Sequence, residues 1–449
     1  MQSYGDYNEN HRSASAGTLA SLMLAIINSS YYEDAILAYQ TAIIYEPKNG
    51  GIYVQWARTL IKKANQQKNN ALKQTLEKAF AKYQIASKKD PKNPWIYTDW
   101  GYQLAKVSHQ SSLLEKMSES LNEKFKKAID AEKKFRKAID IDPYYALAYA
   151  TWGDVLLKFQ ENYQEAIQKY EKAVELHFQA AWIYGNWGMA LFNQKKYKAA
   201  LIKFETATTL KKEAWIYKAW GNTLIKLKRV KEAVTKYQMA LTLAPDAETH
   251  YQLGKALVKL KQHKEAIVQY EKAVFLTQDK QDKRRYYYVW GEALSLLERY
   301  EQAITYYKKV LAIEPEHIWS HVFMGHALIR LHKPDKAFTE CETVLKSLNA
   351  KDDQKAAAYA LCGLAEIGFK HPKLAIKQCQ TALTIFEEED WAYWCLGDAL
   401  VLLNKLEEAV IQYEKAVNLK PENTFYYYKW EQALTKSEQA AMTQNEKTK

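Results

Sequence analysis

The strongest constraint on this chain is a spacing that recurs along it. In the stretch 182–188, Tyr184, Trp187 and Gly188 lie on one apolar stripe of a helix, and Ala200, twelve residues after the glycine, belongs to the stripe of a second helix. The glycine position recurs at Gly101, Gly153, Gly221, Gly254, Gly291, Gly325, Gly363 and Gly397, with Met23, Ala57 and Glu431 in its place at the ends. Two short amphipathic helices repeated at nearly constant spacing predict a helical-repeat array.

The second helix of each unit has its own signature. An alanine is followed four residues later by tyrosine, phenylalanine or cysteine, and this pattern returns in eleven successive units. The alanines are Ala35, Ala79, Ala131, Ala166, Ala200, Ala233, Ala266, Ala303, Ala337, Ala375 and Ala409. Small residues let the paired helices approach closely, while the larger side chain fills the space between neighbouring units.

These residues resemble the tetratricopeptide repeat, whose helix A carries an aromatic residue, a leucine and a glycine, and whose helix B carries Ala-x-x-x-Phe/Tyr-x-x-Ala before a terminal proline. The resemblance covers residues 17–440, although the leucine before the glycine is usually tryptophan here, which we interpret as a larger core residue. Half-a-TPR repeats of RNA-processing factors are also aromatic-rich but lack this glycine and alanine spacing. The resemblance implies an all-α fold: a right-handed α-solenoid of antiparallel helix-turn-helix repeats.

We expect one superhelix over residues 17–440, with disordered tails at 1–16 and 441–449. The predicted repeats lie near 17–49, 50–93, 94–145, 146–180, 181–213, 214–246, 247–283, 284–317, 318–355, 356–389 and 390–423, followed by a capping helix at 424–440. A terminal unit with one polar face keeps an open-ended array soluble.

The apolar run 19–27 is interpreted as the first helix A, with a signal peptide as the alternative. Asp6 and Glu9 precede it and no small-x-small cleavage site follows, which favours the helix. No other apolar run approaches membrane length, so the predicted compartment is the cytoplasm.

Two repeats carry insertions between helix A and helix B, at 66–72 and 105–130. In the second insertion Leu113, Met117, Leu121 and Phe125 follow one another at i, i+4 steps, so we expect the insertions to extend helices. We expect the two extensions to pack on each other. The alternative is a docking or self-association surface.

Charge and cysteine content narrow the function classes. The net charge of +12 makes an acidic peptide, a nucleic acid or a membrane surface plausible, with a merely solvated lysine surface as the alternative. The four cysteines are interpreted as small buried hydrophobic residues without a disulfide framework: Cys341, Cys362, Cys379 and Cys395. No CxxC motif or histidine pair with a suitably placed acid predicts a metal site.

No catalytic motif is present in the sequence. It contains no GxxxxGK[ST], GxGxxG or GxSxG pattern, and His250 and His321 occupy an inward slot of helix A as core histidines. Most glycines serve helix packing. The chain is therefore predicted to be no enzyme and to need no cofactor.

The resemblance also implies where a ligand would lie. In this family helix A lines the inner wall, and ligands face slots two, five, nine, twelve and thirteen, counting the packing glycine as slot eight. Slot two holds Trp95, Trp182, Trp215, Trp319 and Trp391. Slot thirteen holds Lys62, Lys106, Lys158, Lys226, Lys259 and Arg330. Indoles beside cations would suit an extended acidic peptide with apolar anchors. The alternatives are indoles packed on the preceding helix B and lysines that are only solvated.

One repeat carries part of a further pattern. Lys218 and Asn222 occupy slots five and nine, where chaperone-binding members of the family grip a C-terminal carboxylate. At the matching later positions Gln252 replaces asparagine, Arg285 replaces lysine and Val289 replaces arginine. The carboxylate clamp is therefore a secondary hypothesis.

The sequence thus favours a non-catalytic protein–protein interaction scaffold or adaptor that binds an extended, acidic segment in its concave groove. The alternative is RNA or other nucleic-acid binding, since basic residues can follow a phosphate backbone and aromatic residues can stack on bases. Helix A carries acids as well, which argues against it: Asp99, Asp154, Glu292 and Asp398.

Overall fold

The computed structural model describes residues 32–67, 69–109 and 121–447, and within these ranges the chain is helical without strands. Twenty-two helices are described there. In chain order they are α1 Tyr32–Tyr45, α2 Gly50–Ala64, α3 Asn69–Lys89, α4 Pro94–His109, α5 Leu121–Ile141, α6 Ala146–Lys158, α7 Tyr163–Glu175, α8 Ala181–Asn193, α9 Tyr197–Leu210, α10 Ala214–Lys226, α11 Val230–Leu243, α12 Ala247–Lys259, α13 His263–Leu276, α14 Lys280–Leu296, α15 Tyr300–Ile313, α16 Ile318–Arg330, α17 Pro334–Lys346, α18 Asp352–Gly368, α19 Pro372–Ile385, α20 Asp390–Leu402, α21 Leu406–Leu419 and α22 Thr424–Lys447.

Even-numbered helices are helices A and odd-numbered helices are helices B. Within residues 32–229 and within 230–447, each helix A packs on the helix B that follows it, as α8 does on α9, and each helix B packs on the next helix A, as α9 does on α10. The predicted first helix A, at 17–31, and the predicted tail at 1–16 lie outside the described residues. The fold is therefore the predicted α-solenoid type, built from consecutive helix pairs.

Helix contacts group the chain into two compact units, Met1–Arg229 and Val230–Lys449. The division falls between α10 and α11, inside the predicted repeat 214–246. The first unit has one continuous core cluster, and the second has two, one centred on α16–α18 and the other on α19–α22. Each unit thus has its own core, and the single superhelix expected over 17–440 stays a prediction.

The glycine and alanine positions are occupied for the predicted reason, which is close packing of helix A on helix B. A Cβ atom at Gly153 would lie 2.8 Å from Cε1 of Tyr170, on helix α7 of the same repeat. Ala166 and Ala173, which flank Tyr170, are completely buried. The aromatic ring therefore fills the space that the glycine leaves open.

The turn between helix A and helix B recurs with the same backbone geometry. In the repeat of α8 and α9, Lys195 has a φ of 61°, and the N–H of Lys196 donates to the carbonyl of Leu191 at 2.9 Å. This hydrogen bond closes the end of helix α8 and directs the chain back along it. The left-handed position recurs at Lys228, Lys261, Glu298, His332, Lys370 and Asn404.

The two inserted repeats have long second helices. Helices α3 and α5 contain 21 residues each, against 13 in α7 and 14 in α9. Residues 110–120 of the second insertion, which include Leu113 and Met117, lie outside the described residues. The proposed self-association through 66–72 and 105–130 stays a prediction.

The last helix is longer than the sequence analysis predicted. Helix α22 begins at Thr424, as expected for the capping helix, but continues to Lys447 instead of ending at 440. Most of the segment predicted as a disordered tail, 441–449, is therefore helical. The helix-forming residues that follow Leu434, among them Glu438 and Ala440, continue the helix without an apolar stripe to reveal it.

The prediction of unpaired cysteines is wrong. Cys341 of α17 is bonded to Cys362 of α18, and Cys379 of α19 is bonded to Cys395 of α20, with Cα–Cα distances of 5.6 and 6.5 Å. In each pair a cysteine in the aromatic slot of helix B faces one on the next helix A. All four cysteines are buried, as predicted. However, helices α17 and α19 are each covalently joined to the first helix of the repeat that follows.

In the described part of the chain, no helix has both the length and the apolar composition required to cross a membrane.

Candidate functional site

Helices A of neighbouring repeats also contact one another within each unit, as α2 does with α4 and α18 with α20. Such contacts between successive first helices place these helices in the inner layer of the repeat stack. We call the side chains at slots two, five, nine, twelve and thirteen of helices A the inner face. The candidate residues of the sequence analysis all belong to it.

The slot-two tryptophans of the first unit are half-buried against neighbouring elements. The ring of Trp215 fills the space beside Gly185, where a Cβ atom would collide with it, and the ring of Trp95 lies 3.7 Å from the Cβ position of Gly51. Both glycines belong to the preceding helix A, whereas the alternative interpretation named the preceding helix B. Trp182 packs edge-on to Phe178 with ring centroids 6.2 Å apart. These indoles are neither free nor fully covered.

In the second unit the inner face is filled by its own aromatic side chains. Trp391 stacks on His326 with ring centroids 4.6 Å apart and meets Phe323 edge-on at 6.0 Å. The guanidinium of Arg330 lies 4.4 Å from the ring centroid of Phe425. Trp319 in turn stacks on Phe323 at 5.6 Å. Helix α16 therefore touches α20 and α22, which belong to later repeats.

These long-range contacts are possible because the helix between them is lined with small residues. Helix α18 has Ala357 at slot two and Ala360 at slot five, both buried. Burial lowers the pKa of His326 to about 3, so its ring is neutral and stacks as an aromatic group. The predicted groove residues Trp319 and Arg330 thus contact other parts of the second unit.

Buried carboxylates of helices A are paired with nearby donors. Asp99 accepts hydrogen bonds from Nε and Nη2 of Arg58 at 3.0 and 2.5 Å and from the hydroxyl of Tyr83 at 2.5 Å. The guanidinium of Arg58 also lies 5.4 Å from the ring centroid of Trp95. The buried charge of Asp99 is therefore matched by a cation and a hydroxyl group.

The same arrangement recurs at two other acids. Asp154 accepts from the hydroxyl of Tyr170 at 2.8 Å, from the amide of Asn186 at 2.6 Å and from Nζ of Lys158 at 2.8 Å. Asp398 accepts from Tyr413 at 2.5 Å and from Lys429 at 2.9 Å. In each case a tyrosine of helix B and a residue of the inner layer neutralise the acid.

The slot-thirteen cations differ in their surroundings. Lys158 is paired with Asp154, whereas Lys62 and Lys106 form no ion pair within the described ranges. Burial, followed by the nearby charges of Arg58 and Lys106, lowers the pKa of Lys62, and burial lowers the pKa of Lys106. Lys62, Lys226 and Lys259 are exposed, and Lys106 is half-buried. Among the described residues of the first unit, Lys62 and Lys106 are therefore slot-thirteen lysines without an ion-pair partner.

The residues of the carboxylate-clamp hypothesis belong to different units. Lys218 and Asn222 are half-buried on α10 of the first unit. In the second unit Gln252 donates to Glu248 at 2.7 Å, and Arg285 pairs with Glu248 at 3.3 Å and with Asp282 at 2.9 Å. The guanidinium of Arg285 is therefore engaged by two acids of its own unit.

A set of cation–π contacts joins helix A to helix B, and the sequence patterns above did not predict it. Lysine ammonium groups lie 3.4 to 3.7 Å from the ring centroids of the tryptophans that precede the packing position. The pairs are Lys82 with Trp56, Lys134 with Trp100, Lys169 with Trp152 and Lys203 with Trp187. The lysine stands three residues after the helix B alanine in each of these repeats, and this register could have revealed the pairs.

Helix pairs that pack in series, with an inner layer of first helices, define a helical-repeat protein. Family models of the Tetratricopeptide repeat match residues 247–279, 284–317 and 392–423. The chain therefore contains tetratricopeptide repeats in these segments, as the sequence predicted. Proteins of this family bind protein or peptide partners and are typically non-catalytic.

Solved structures of similar fold come from several repeat proteins. YrrB, described as a TPR protein with an unusual peptide-binding site, is 26% identical, with a TM-score of 0.37 over 41% of this chain and 95% of its own. The C-terminal part of a TPR repeat-containing protein from Cytophaga hutchinsonii is 18% identical, with a TM-score of 0.41 over 62% of this chain and 98% of its own. The APC/C hetero-tetramer Cut9–Hcn1 is 14% identical, with a TM-score of 0.43 over 92% of this chain and 89% of that one. No curated protein matches the chain in sequence.

Proposed function

We propose that this chain is a non-catalytic scaffold that binds an extended, acidic protein segment on the inner face of its first unit. The observation that carries the proposal is the pair Lys62 and Lys106, which lies on that face without a carboxylate partner in the described residues. A segment with acidic side chains supplies the missing counter-charge. Charge complementarity of this kind fixes register and partner choice.

The half-buried tryptophans supply the apolar part of the same surface. Trp95 and Trp182 each rest on neighbouring side chains and keep part of the indole accessible. A rigid indole gives a large contact area at a low cost in conformational entropy, and tryptophan is over-represented among the residues that dominate interfaces. The binding segment therefore combines acidic residues with apolar anchors.

The second unit is a weaker candidate for the same role. The contacts of Trp391 with His326 and of Arg330 with Phe425 occupy the inner face that a segment would need. Binding there requires these contacts to separate first, which reduces the affinity by the free energy of opening. We therefore place the segment on the first unit.

Nucleic-acid binding is less well supported by the same contacts. Base stacking needs an open aromatic face, but the indoles of Trp56, Trp100 and Trp187 lie beneath lysine ammonium groups. The slot-two indoles of the second unit pack on the chain itself. An RNA affinity that falls steeply with salt and is lost in Trp182→Ala would favour this alternative over a protein partner.

Affinity capture with tryptophan variants tests the proposal. Partners captured by the wild type and identified by mass spectrometry are compared with those of Trp95→Ala/Trp182→Ala, with circular dichroism confirming equal helicity. We expect the variant to lose the partners, and the recovered segment to bind it at least tenfold more weakly, a loss of about 1.4 kcal/mol or more.

The matched control is Trp319→Ala, which removes a slot-two tryptophan of the second unit. It is expected to keep the wild-type partners, because its indole stacks on Phe323. An unchanged partner list in Trp95→Ala/Trp182→Ala, or equal losses in both variants, would overturn the assignment to the first unit.

A further inference from the structure

A cavity of about 400 Å³ lies in the second unit, between two successive turns that join one repeat to the next. One wall is formed by the turn between α15 and α16, and the other by the end of α17 with the turn that follows it. The side-chain amide of Asn349 donates to Glu316 at 3.5 Å and joins the two turns. The cavity therefore belongs wholly to the second unit.

Polar side chains that line this cavity have partners in their own chain. Both ring nitrogens of His321 face acceptors, Oε2 of Glu340 at 2.6 Å and the carbonyl oxygen of Pro315 at 3.0 Å. The hydroxyl of Thr343 donates to the carbonyl of Thr339 at 2.8 Å. A small polar ligand is held by polar groups that converge on it, and here those groups are engaged elsewhere. The cavity is therefore better suited to an apolar side chain.

The apolar lining of the cavity includes Ile318, Val344 and Leu348. Ile318 and Val344 are buried, whereas Leu348 is 99% exposed and is the most exposed large hydrophobic side chain of the described residues. A single exposed leucine is ordinary on a protein surface. This one stands beside a cavity, so the same surface carries both a protruding apolar side chain and a space for one.

We propose that this surface binds a second copy of the chain, so that the cavity of each copy receives Leu348 of the other. A protrusion and a cavity on one patch make that patch complementary to itself, and a two-fold dimer then closes. On separate patches they would instead favour open head-to-tail association. Dimerisation removes the apolar surface of both leucines from water. The proposal concerns the second unit and does not depend on the peptide surface of the first.

Charges on the two walls of the cavity match this arrangement. Glu316 lies in the turn between α15 and α16, and Lys346 is the last residue of α17. Lys346 pairs with Glu342 at 3.0 Å, and Glu316 accepts from Asn349 at 3.5 Å, all at exposed positions. Exposed pairs of this kind contribute little stability, so both charges are able to change partner. In the two-fold dimer, Lys346 of each copy faces Glu316 of the other.

The oligomeric state of the full chain tests the proposal. Sedimentation equilibrium from about 1 to about 100 µM covers the range in which dimers of modest affinity dissociate. We expect the wild type to be dimeric at the upper end. Leu348→Asp should raise the dissociation constant about tenfold or more, because a carboxylate is costly to bury in an apolar cavity. Its helicity, measured by circular dichroism, should equal that of the wild type, since Leu348 is exposed.

Three further variants examine the geometry of the dimer. Leu402→Asp is the matched control, because Leu402 is another exposed leucine of the second unit, and it should leave the dissociation constant unchanged. Glu316→Lys and Lys346→Glu each place like charges opposite one another and should weaken the dimer about tenfold at low ionic strength. The double charge variant restores opposite charges and should dimerise as the wild type does.

Three results would contradict the proposal. A wild type that stays monomeric at the highest concentration would leave the cavity to an apolar side chain of a different protein. A dimer that forms equally well in Leu348→Asp would assign self-association to another surface. A double charge variant that dimerises no better than the single variants would mean that Glu316 and Lys346 do not face each other across the dimer.

Discussion

Single buried carboxyl groups make the second unit sensitive to pH. Burial, with Asp390 as a close negative neighbour, raises the pKa of Glu389 to about 8, and burial raises the pKa of Glu292 to about 7. Asp390 accepts a hydrogen bond from the hydroxyl of Tyr426 at 2.5 Å, which joins α20 to the last helix. In the folded chain Glu389 and Glu292 are therefore partly protonated near neutral pH.

The sign of the resulting pH dependence follows from proton uptake. An acid whose pKa is higher when folded binds more protons in the native state, so stability is lost as the pH rises through the folded value. His326 acts in the opposite sense, because its lowered pKa adds stability as the pH rises from about 3 to its ordinary value of 6.5. Above that value His326 no longer offsets the loss from Glu389 and Glu292. The hydrogen bond to Glu340 raises the pKa of His321, so the stabilisation from His321 is lost in the same direction.

We predict that the second unit loses stability between about pH 6.5 and about pH 8, by up to about 2 kcal/mol through Glu389. Glu389→Gln removes the charge and should flatten this part of the curve, measured by urea unfolding across the range. Glu407→Gln, at an exposed position in the first turn of α21, is the control and should leave the slope unchanged. If the free energy of unfolding of Glu389→Gln falls with pH as steeply as that of the wild type, Glu389 is not the cause of the pH dependence.

At the scale of paired helices, the tryptophan that replaces leucine in most repeats has a partner on the other helix. Lys203 of α9 lies 3.4 Å from the ring centroid of Trp187 on α8. The corresponding positions hold Leu253 and Gln269 in another repeat. The two positions thus differ together, as expected if the pair is one packing unit.

A double-mutant cycle on Trp187→Leu and Lys203→Gln tests this pairing. We predict a coupling free energy of about 0.5 to 2 kcal/mol, because the ammonium group is partly desolvated over the indole. The double variant reproduces the natural Leu253 and Gln269 pair and should therefore fold. Additive effects of the two changes in chemical unfolding would mean that Trp187 contributes volume only.

Helix pairs could be predicted from the sequence because their determinants are local. The spacing of Gly153, Ala166 and Tyr170 fixes which faces meet, and the structure places Tyr170 against that glycine. The filled inner face could not be predicted in this way. Trp391 reaches His326 only because an intervening helix is lined with alanine, which depends on three successive repeats at once.

For the candidate site, the positions of the residues could be predicted from the sequence, but their ion-pair partners could not. Slot numbers placed Lys62 and Lys106 on the inner face, but the slots alone do not tell which cations have a partner. Lys158 occupies the same slot and differs because Asp154 lies one turn before it on the same helix. Arg58, which shapes the charge of the site through Asp99, lies in slot nine and was missed because no single repeat contains both residues.

Across the whole chain the two units carry different chemistry. Lys62 and Lys106 lie in the first unit, and all four cysteines lie in the second, where both disulfides involve the repeat of α18 and α19. The cysteine pairs enclose chain separations of 21 and 16 residues. Loops of this length correspond to a stabilisation of about 3 kcal/mol each in the chain-entropy account.

The disulfides bear on the compartment in which the chain folds. Buried disulfides are typical of oxidising compartments, whereas the sequence analysis predicted the cytoplasm. We predict that protein from its native source, unfolded in alkylating agent, takes up no adduct on Cys341, Cys362, Cys379 or Cys395 until it is reduced. Four adducts without reduction would contradict the disulfides and agree with a reducing compartment.

Removal of a disulfide is expected to destabilise only the second unit. Its effect can therefore be measured separately from binding at the proposed surface of the first unit. Cys341→Ser/Cys362→Ser is expected to destabilise the second unit by about 3 kcal/mol, read from proteolysis between residues 230 and 447. The first unit, which contains no cysteine, should keep its resistance to proteolysis and the partners that are captured through Trp95 and Trp182. Cys379→Ser/Cys395→Ser serves as the matched variant, because it removes the other disulfide of the same repeat. Loss of the captured partners in either variant would mean that the two units do not act independently.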